Sequence, residues 1–158
     1  MRNDPCFFIL YGSYRIIVFN YLPRFKYIHK EMSSAIIKFF ITFRSSLKMY
    51  HWNTLVYPRH IASDALIGKL DILSDQFVEV YIGRYGRDRQ SSKKSKDDVD
   101  ISLPRLPENE IVGYLEEARD WLTNRLSGML KKNDTELFNI RDEIIGEINQ
   151  CLYLFTLK

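Results

Sequence analysis

The chain has 158 residues, of which 46% are hydrophobic, and its formal net charge is +3. That length and composition fit one domain with a real core, and so mild a charge does not by itself indicate a nucleic-acid binder. The only cysteines, Cys6 and Cys151, lack the spacing of a disulfide framework or a thiolate metal motif, which favours a reducing compartment over secretion. No apolar run reaches the roughly 18–20 residues of a membrane span.

The first 32 residues differ from the rest of the chain. The stretch CFFILYGSYRIIVFNYLPRFKYIHK is aromatic, β-branched and basic. It permits three interpretations: a short strand or hairpin, an interfacial or targeting segment, or an upstream extension outside the natural domain. We therefore divide the chain into an N-terminal hydrophobic and basic extension, residues 1–32, and a helical domain, residues 33–158.

From Ser33 onward the apolar residues recur with the three- and four-residue spacing of helices. The pattern predicts four helices, with Pro58 opening the second and Gly83 and Gly86 ending it. Together they predict an all-α, up-and-down four-helix bundle. The predicted core positions are Ile36, Phe40, Phe43 and Leu47; Leu66, Leu70, Leu73, Phe77 and Tyr81; Ile111, Leu115, Ala118, Leu122, Leu126 and Met129; and Leu137, Ile140, Ile144, Ile148, Cys151 and Phe155.

Residues 86–107 form a polar connector between the second and third predicted helices. One interpretation is a solvated loop; the other is a set of phosphate contacts that would bind DNA without sequence preference. After the third helix, Asn133 and Glu136 resemble a capping box that opens the fourth. The basic residues in or beside the connector are Arg84, Arg87, Arg89, Lys93, Lys94 and Lys96.

Side chains of the types that bind metals lie on one side of the second predicted helix. At about 100° per residue they fall within a sector about 100° wide, nearly opposite the apolar side. Imidazole combined with carboxylates suits iron, manganese or zinc. The alternative interpretation is an ordinary solvated helix face. The residues are His60, Asp64, Asp75 and Glu79, with His51 at the end of the preceding helix.

This pattern resembles the ferroxidase centre of the Dps-type mini-ferritins, the DNA-protecting and iron-oxidising branch of the ferritin-like superfamily. The resemblance rests on LKMYHWNT, on an H-x-x-x-D pair and on a D-x-x-x-E pair, and covers residues 33–86 specifically. In that family the two histidines stand twelve residues apart; here they stand nine apart. The segment FVEVYIGRYGR also resembles uncharacterised ferritin-like proteins of large DNA viruses.

The resemblance implies binding and oxidation of Fe(II), at a di-iron or mononuclear site, with zinc or manganese as alternative metals. The implied catalytic and metal-binding residues are His51, His60, Asp64, Asp75 and Glu79. The resemblance also implies that the first helix of one chain and the second helix of its two-fold partner share the site, in assemblies from a dimer to a dodecamer. A ligand stripe opposite the bundle core independently predicts completion of the site by another subunit. In this interpretation Trp52 lies beside the iron; the alternative places it in the core.

A competing hypothesis assigns the protein to a different class. A ferritin-like scaffold with a weak metal site would serve as a structural or interaction protein, either DNA-associated or part of a virus particle. The shortened connection between His51 and His60 and the unusual N-terminal segment favour this alternative. The two hypotheses predict a cytoplasmic or a virion location.

Overall fold

The computed structural model describes residues 22–87 and 101–157, and every regular element among them is helical. Helix α1 is Leu22–Asn53, α2 is Tyr57–Tyr85 and α4 is Thr135–Leu154. Helix α3 is a continuous rod of residues 111–129, made of Ile111–Asp120, a π-helical segment Trp121–Leu126 and a last turn Ser127–Met129. The predicted all-α bundle is confirmed. None of the described helices is long and apolar enough to cross a bilayer.

The first helix begins earlier than the sequence pattern indicated. We expected helical structure from Ser33, whereas α1 begins at Leu22. The residues before Ser33 include Pro23 and lack a clean apolar period, so periodicity alone could not detect this extension. The three interpretations of the N-terminal segment concern residues that, up to residue 21, lie outside the described part of the chain.

The predicted core positions are buried, apart from Met129, which is partly buried. Tyr50, Ala62 and Ile67 join them. Each fully buried Leu, Ile or Phe side chain contributes about 1.5–3 kcal/mol relative to an exposed one. The apolar stripes therefore hold the four helices in one core.

The contacts at the two ends of α2 show that α2 and α3 run in the same direction. Near the start of α2, Arg59 Nη1 donates to the backbone carbonyl of Glu108, 2.8 Å away, just before α3. At the end of α2, Arg84 Nη2 donates to the carbonyl of Asn133, 3.1 Å away, just after α3. The order is therefore up, down, down, up, and the predicted up-and-down order is wrong.

Chain length explains the difference. Helix α2 is about 43 Å long, and the residues between Tyr85 and Ile111 could span about 80 Å if fully extended. The connector is therefore long enough to return to the end of the bundle at which α2 began. A short turn would have forced α3 to run antiparallel to α2 instead.

Helix α2 packs against both α1 and α4, and α3 packs against α4. Helices α1 and α3 meet through aromatic side chains: Phe43 lies near Tyr114, and Phe39 stacks on Trp121. Around the bundle the helices follow the order α1, α2, α4, α3. Consequently α2 exposes one stripe to solvent between its two packed sides.

The predicted capping box of Asn133 and Glu136 does not form. The residue before α4 is Asp134, and no side chain caps the helix N-terminus. Asp134 is instead fully buried, and Glu136 accepts a hydrogen bond of 2.7 Å from Arg84. The sequence pattern indicated the correct helix start, but the carboxylates of Asp134 and Glu136 contact Arg84 of α2 and do not cap α4.

Asp134 fastens the end of α2 to the turn between α3 and α4. Its Oδ2 accepts hydrogen bonds from the Tyr85 hydroxyl and, at 2.7 Å, from the Lys131 backbone amide. Arg84 Nε lies 2.5 Å from Oδ1. Burial would raise the pKa of Asp134, but these hydrogen bonds and the Arg84 charge hold it below its ordinary value. The carboxylate therefore stays ionised and joins the end of α2 to the turn between α3 and α4.

Candidate metal site at the turn between α1 and α2

Only three residues separate α1 from α2, which makes the two helices an antiparallel pair. The Thr54 amide continues the helical pattern by donating to the Tyr50 carbonyl, 2.9 Å away, and Thr54 Oγ1 accepts the Val56 amide at 3.2 Å. Pro58 stands in the first turn of α2, where a missing N–H costs nothing. This tight turn brings His51 and His60 to the same end of the bundle.

Glu108, which precedes α3, holds this turn in place. One carboxylate oxygen, Oε2, accepts hydrogen bonds from the Tyr50 hydroxyl at 2.7 Å and from Arg59 Nη1 at 3.0 Å, and Oε1 accepts the Thr54 hydroxyl. Burial would raise the pKa of Glu108, but the hydrogen bonds from Thr54, Tyr50 and Arg59 outweigh it and lower the pKa. The ionised side chain thus joins α1, α2 and the start of α3.

The two histidines form a reciprocal pair. Their rings stack with centroids 4.0 Å apart. His51 Nδ1 lies 3.0 Å from the His60 carbonyl oxygen, and His60 Nδ1 lies 2.9 Å from the His51 carbonyl oxygen. A carbonyl oxygen only accepts, so each Nδ1 carries a proton, and in the neutral form of either ring the lone pair lies on Nε2. This arrangement is typical of metal-ligating histidines, whose other ring nitrogen donates to a carbonyl or carboxylate.

Asp64 lies beside this pair. Its Oδ1 is 3.5 Å from His51 Nε2. Two donors that each bind one metal ion at about 2.1 Å are separated by about 3.0–3.4 Å, so the observed distance is close to that of two ligands of one ion. His51 is buried, whereas Asp64 keeps 57% of its side chain exposed. The pair is therefore accessible from the outer face of α2.

A lysine occupies part of the coordination space of Asp64. Lys48 Nζ donates to Asp64 Oδ1 at 3.0 Å. This hydrogen bond is the largest effect that lowers the pKa of Asp64, with smaller contributions from the charges of Lys48, His51 and His60. The carboxylate is therefore ionised, but a metal ion must compete with the ammonium group for the same oxygen.

Asp75 and Glu79 lie elsewhere on the same stripe. Both are exposed, and Asp75 is about 16 Å from Asp64 along the axis of α2. Across residues 32–87 and 101–157, no group of three or more potential metal ligands comes together within the chain. The structure places Asp64 beside His51 and stacks His60 on His51, without forming a three-ligand group, and it leaves Asp75 and Glu79 apart from them.

Two other sequence expectations concern neighbouring residues. Trp52 is 68% exposed, so its alternative assignment to the core is wrong; Lys48 Nζ lies 5.8 Å from its ring centroid. Cys151 is a buried free thiol whose Sγ lies 3.7 Å from the Ala62 carbonyl oxygen, and burial raises its pKa to about 12. It is therefore protonated and does not supply a thiolate ligand.

Three residues of this region were not predicted from the sequence. Ser63 Oγ donates to the His60 carbonyl at 3.0 Å and lies 3.4 Å from His51 Nδ1. Lys48 stands one helical turn before His51, so helical spacing could have indicated it. Glu108 is 49 or more residues from its partners in sequence, and no local pattern could have indicated it.

The first prediction concerns the hydrogen bonds that the Glu108 carboxylate accepts from Tyr50, Thr54 and Arg59. Replacement by glutamine removes the charge and should lower the free energy of unfolding by about 1–2 kcal/mol near neutral pH, a figure reduced for the partial exposure of the carboxylate. Because folding lowers the pKa of Glu108, its contribution is present above the ordinary value of 4.5 and is lost as pH falls through the lowered value. Urea unfolding across this pH range measures the difference.

Glu110→Gln is the matched control, since Glu110 is exposed and makes no side-chain hydrogen bond with the described residues. We expect its unfolding free energy to stay near that of the unmodified chain. A Glu108→Gln difference that persists unchanged at acidic pH would contradict an ionic clamp.

Comparison with known proteins identifies the family of this chain. The model of a family of unknown function, DUF5856, matches residues 51–155, a span that contains all five predicted ligands and the helices α2, α3 and α4. No curated protein and no solved structure matches the chain. Because the matched span covers well over half of the sequence, the chain belongs to the DUF5856 family of unknown function.

Proposed function

We propose that this protein binds Fe(II) and oxidises it at a ferritin-like site shared between two subunits. The observation that carries the proposal is the histidine pair, whose Nδ1 atoms are fixed by backbone carbonyls while His51 Nε2 lies 3.5 Å from the Asp64 carboxylate. Backbone contacts of this kind orient imidazoles as metal ligands. Zinc and manganese suit the same donors.

The helix order supports the ferritin-like assignment. Ferritin-like bundles contain one long crossover connection, unlike the short-looped up-and-down bundles. Here α2 and α3 run in the same direction, which requires a long connection between them. This direction of α3 supports the proposal more strongly than the simple up-and-down order would have done.

The spacing along α2 explains why a second subunit is required. Along the sequence, the midpoint between His60 and Glu79 falls between Lys69 and Leu70. The midpoint between Asp64 and Asp75 falls at the same place. A two-fold axis perpendicular to α2 and just outside its exposed stripe at this level would place two antiparallel copies of the helix side by side. Asp64 would then face the partner's Asp75, which forms two equivalent metal sites in each dimer.

The exposed surface at this level suits a subunit contact. Gly68 is exposed in the middle of α2, one turn from Asp64, where glycine costs about 1 kcal/mol relative to alanine. Ile72 is 66% exposed between Gly68 and Asp75. A helix without a side chain at Gly68 permits close approach of a second copy, and Ile72 would be buried by it.

The donor set fits the proposed chemistry. Carboxylate oxygens and imidazole nitrogens bind Fe(II), and hard carboxylate oxygens favour Fe(III) once it forms. Two Fe(II) ions each give one electron to hydrogen peroxide, which takes up two protons and leaves as two waters; dioxygen is the alternative oxidant. Metal binding would displace Lys48 from Asp64, so the lysine limits affinity for the ion.

The second prediction tests the ligands. Replacing Asp75 and Glu79 together by alanine should weaken Fe(II) binding by more than about 100-fold, since loss of a group that only orients a metal ligand already costs about 10–100-fold. Anaerobic titration calorimetry measures affinity and stoichiometry, and circular dichroism checks helicity. Oxidation of Fe(II) should fall in parallel.

Glu116→Ala with Asp120→Ala is the matched control, because these carboxylates are also exposed and one turn apart, on α3. Unchanged iron stoichiometry in the Asp75→Ala and Glu79→Ala double variant would remove these residues from the site.

The third prediction tests sharing of the site. The Gly68→Lys substitution would introduce two ammonium groups that face each other across the two-fold axis, one from each subunit. It should therefore raise the dimer dissociation constant by about 100-fold through like-charge repulsion. Fe(II) binding should weaken with it. Sedimentation velocity and calorimetry measure the two effects.

Gly113→Lys is the control, since Gly113 is also an exposed helical glycine with open space where a side chain would begin. A monomeric Gly68→Lys variant that retains full iron affinity would show that one chain holds the complete site.

One observation favours the second candidate function, a non-catalytic structural or DNA-associated role, including a role as a virion component. Lys48 already forms an ion pair with Asp64. Among the described residues, no three potential metal ligands come together within one chain. For DNA binding, Arg84 is engaged by Asp134 and Glu136, whereas Arg87 is exposed. Phosphate contacts would therefore fall on Arg87 and on connector residues within 88–100, which lie outside the described part of the chain.

The fourth prediction concerns this DNA interaction. Binding of long duplex DNA should be independent of sequence and weaken steeply from about 50 to 200 mM salt. Replacing Lys93, Lys94 and Lys96 by glutamine should reduce that salt dependence, whereas Lys132→Gln should not. Absence of any mobility shift at low salt would exclude DNA association without bearing on iron binding.

A further inference from the structure

A groove runs between α1 and α3, on a different side of the bundle from the histidine pair. Its volume is about 380 Å³, within the range of small-molecule sites. Phe39 and Trp121 form part of its wall, with ring centroids 3.8 Å apart and planes 4° from parallel. Phe43 and Tyr114 continue the aromatic wall toward the other end. The Phe39 and Trp121 rings each cover one face of the other, so the groove offers a planar ligand the faces and edges of the aromatic wall that remain free.

Two cations lie along the same groove. Lys38 is on α1 next to Phe39, and Arg125 is on α3 one helical turn after Trp121. Both side chains are exposed, and neither makes an ion pair or hydrogen bond with residues 32–87 or 101–157. The stacking of Phe39 on Trp121 fixes the register of the antiparallel helices. Lys38 and Arg125 consequently lie at one end of the groove, within about one helical turn of each other along the bundle axis.

The opposite end carries a negative charge. Glu117 lines the groove about 12 Å along α3 from Arg125. An anionic group is therefore attracted to the end with Lys38 and Arg125 and repelled from the end with Glu117. Because the charges are separated along an aromatic wall, the groove would bind an asymmetric ligand in one orientation.

The π-helical segment lies at this wall. Residues Trp121–Leu126 are the π-helical part of α3, and they contain both Trp121 and Arg125. Interruptions of this kind are rare within α-helices and are frequent at functional sites. The segment thus adds an observation that is independent of the volume and charge of the groove.

We propose that the groove between α1 and α3 binds a planar aromatic anion, with its rings against Phe39 and Trp121 and its anionic group between Lys38 and Arg125. Aromatic side chains contribute flat contact area with little loss of conformational entropy, and the cations supply charge-assisted hydrogen bonds. An aromatic carboxylate and a nucleoside monophosphate share this chemistry. Binding in the groove does not require iron binding on α2.

The experiment uses the full chain with Trp52→Phe, which leaves Trp121 as its only tryptophan. Incorporated 5-fluorotryptophan then reports on the groove by ¹⁹F NMR, while calorimetry measures affinity. The probes are 2-naphthoate, its neutral analogue 2-naphthamide, and adenosine 5′-monophosphate. We expect saturable shifts of the Trp121 resonance and binding of 2-naphthoate about tenfold tighter than that of 2-naphthamide.

The double variant Lys38→Gln, Arg125→Gln should bind 2-naphthoate no more tightly than 2-naphthamide. Its weak affinity for 2-naphthamide should be unchanged. Lys132→Gln with Arg105→Gln is the matched control, since these cations are exposed and do not line the groove. Tighter binding of the nucleotide than of 2-naphthoate would identify nucleotides as the ligand source, and the reverse order would identify aromatic carboxylates. Equal binding of acid and amide, or no saturable shift with any anionic probe, would overturn the proposal.

Discussion

The carboxylate of Glu108 is the contact on which the arrangement of this bundle depends. It accepts hydrogen bonds from Tyr50 at the end of α1, from Thr54 in the turn and from Arg59 at the start of α2. Since Glu108 lies three residues before α3, this contact holds the start of α3 at the end of the bundle where α1 ends and α2 begins. The same ionised group also holds the turn that pairs the two histidines. The lowered pKa of Glu108 keeps it charged in this role.

Helix α2 is held by polar contacts at both of its ends and carries the candidate site between them. At one end Arg59 contacts Glu108, and at the other Arg84 and Tyr85 contact the buried Asp134. Its apolar side packs in the core, whereas its outer stripe of Asp64, Asp75 and Glu79 remains exposed. A helix anchored at both ends presents this stripe rigidly, as a site shared between subunits requires.

The two proposed functional surfaces of the molecule have different physical character. The outer stripe of α2 combines carboxylates with an exposed glycine and isoleucine, which suits metal ions and a second copy of the chain. The groove between α1 and α3 combines aromatic rings with two cations, which suits an organic anion. Helix α1 contributes to both surfaces, with Lys48 and His51 on one side and Lys38 and Phe39 on the other.

The sequence by itself determined the four helices, their buried faces and the outward direction of the acidic stripe, because apolar spacing and helix geometry are local properties. Burial of Phe43, Phe77, Leu122 and Ile144 confirms that prediction. The direction of α3, the early start of α1 and the buried role of Asp134 were decided only by tertiary structure. So was the reciprocal bonding of His51 and His60, since each ring depends on a backbone carbonyl across the turn. Periodicity in one segment contains no information about which distant polar group it meets, and those contacts distinguish this bundle from other four-helix arrangements.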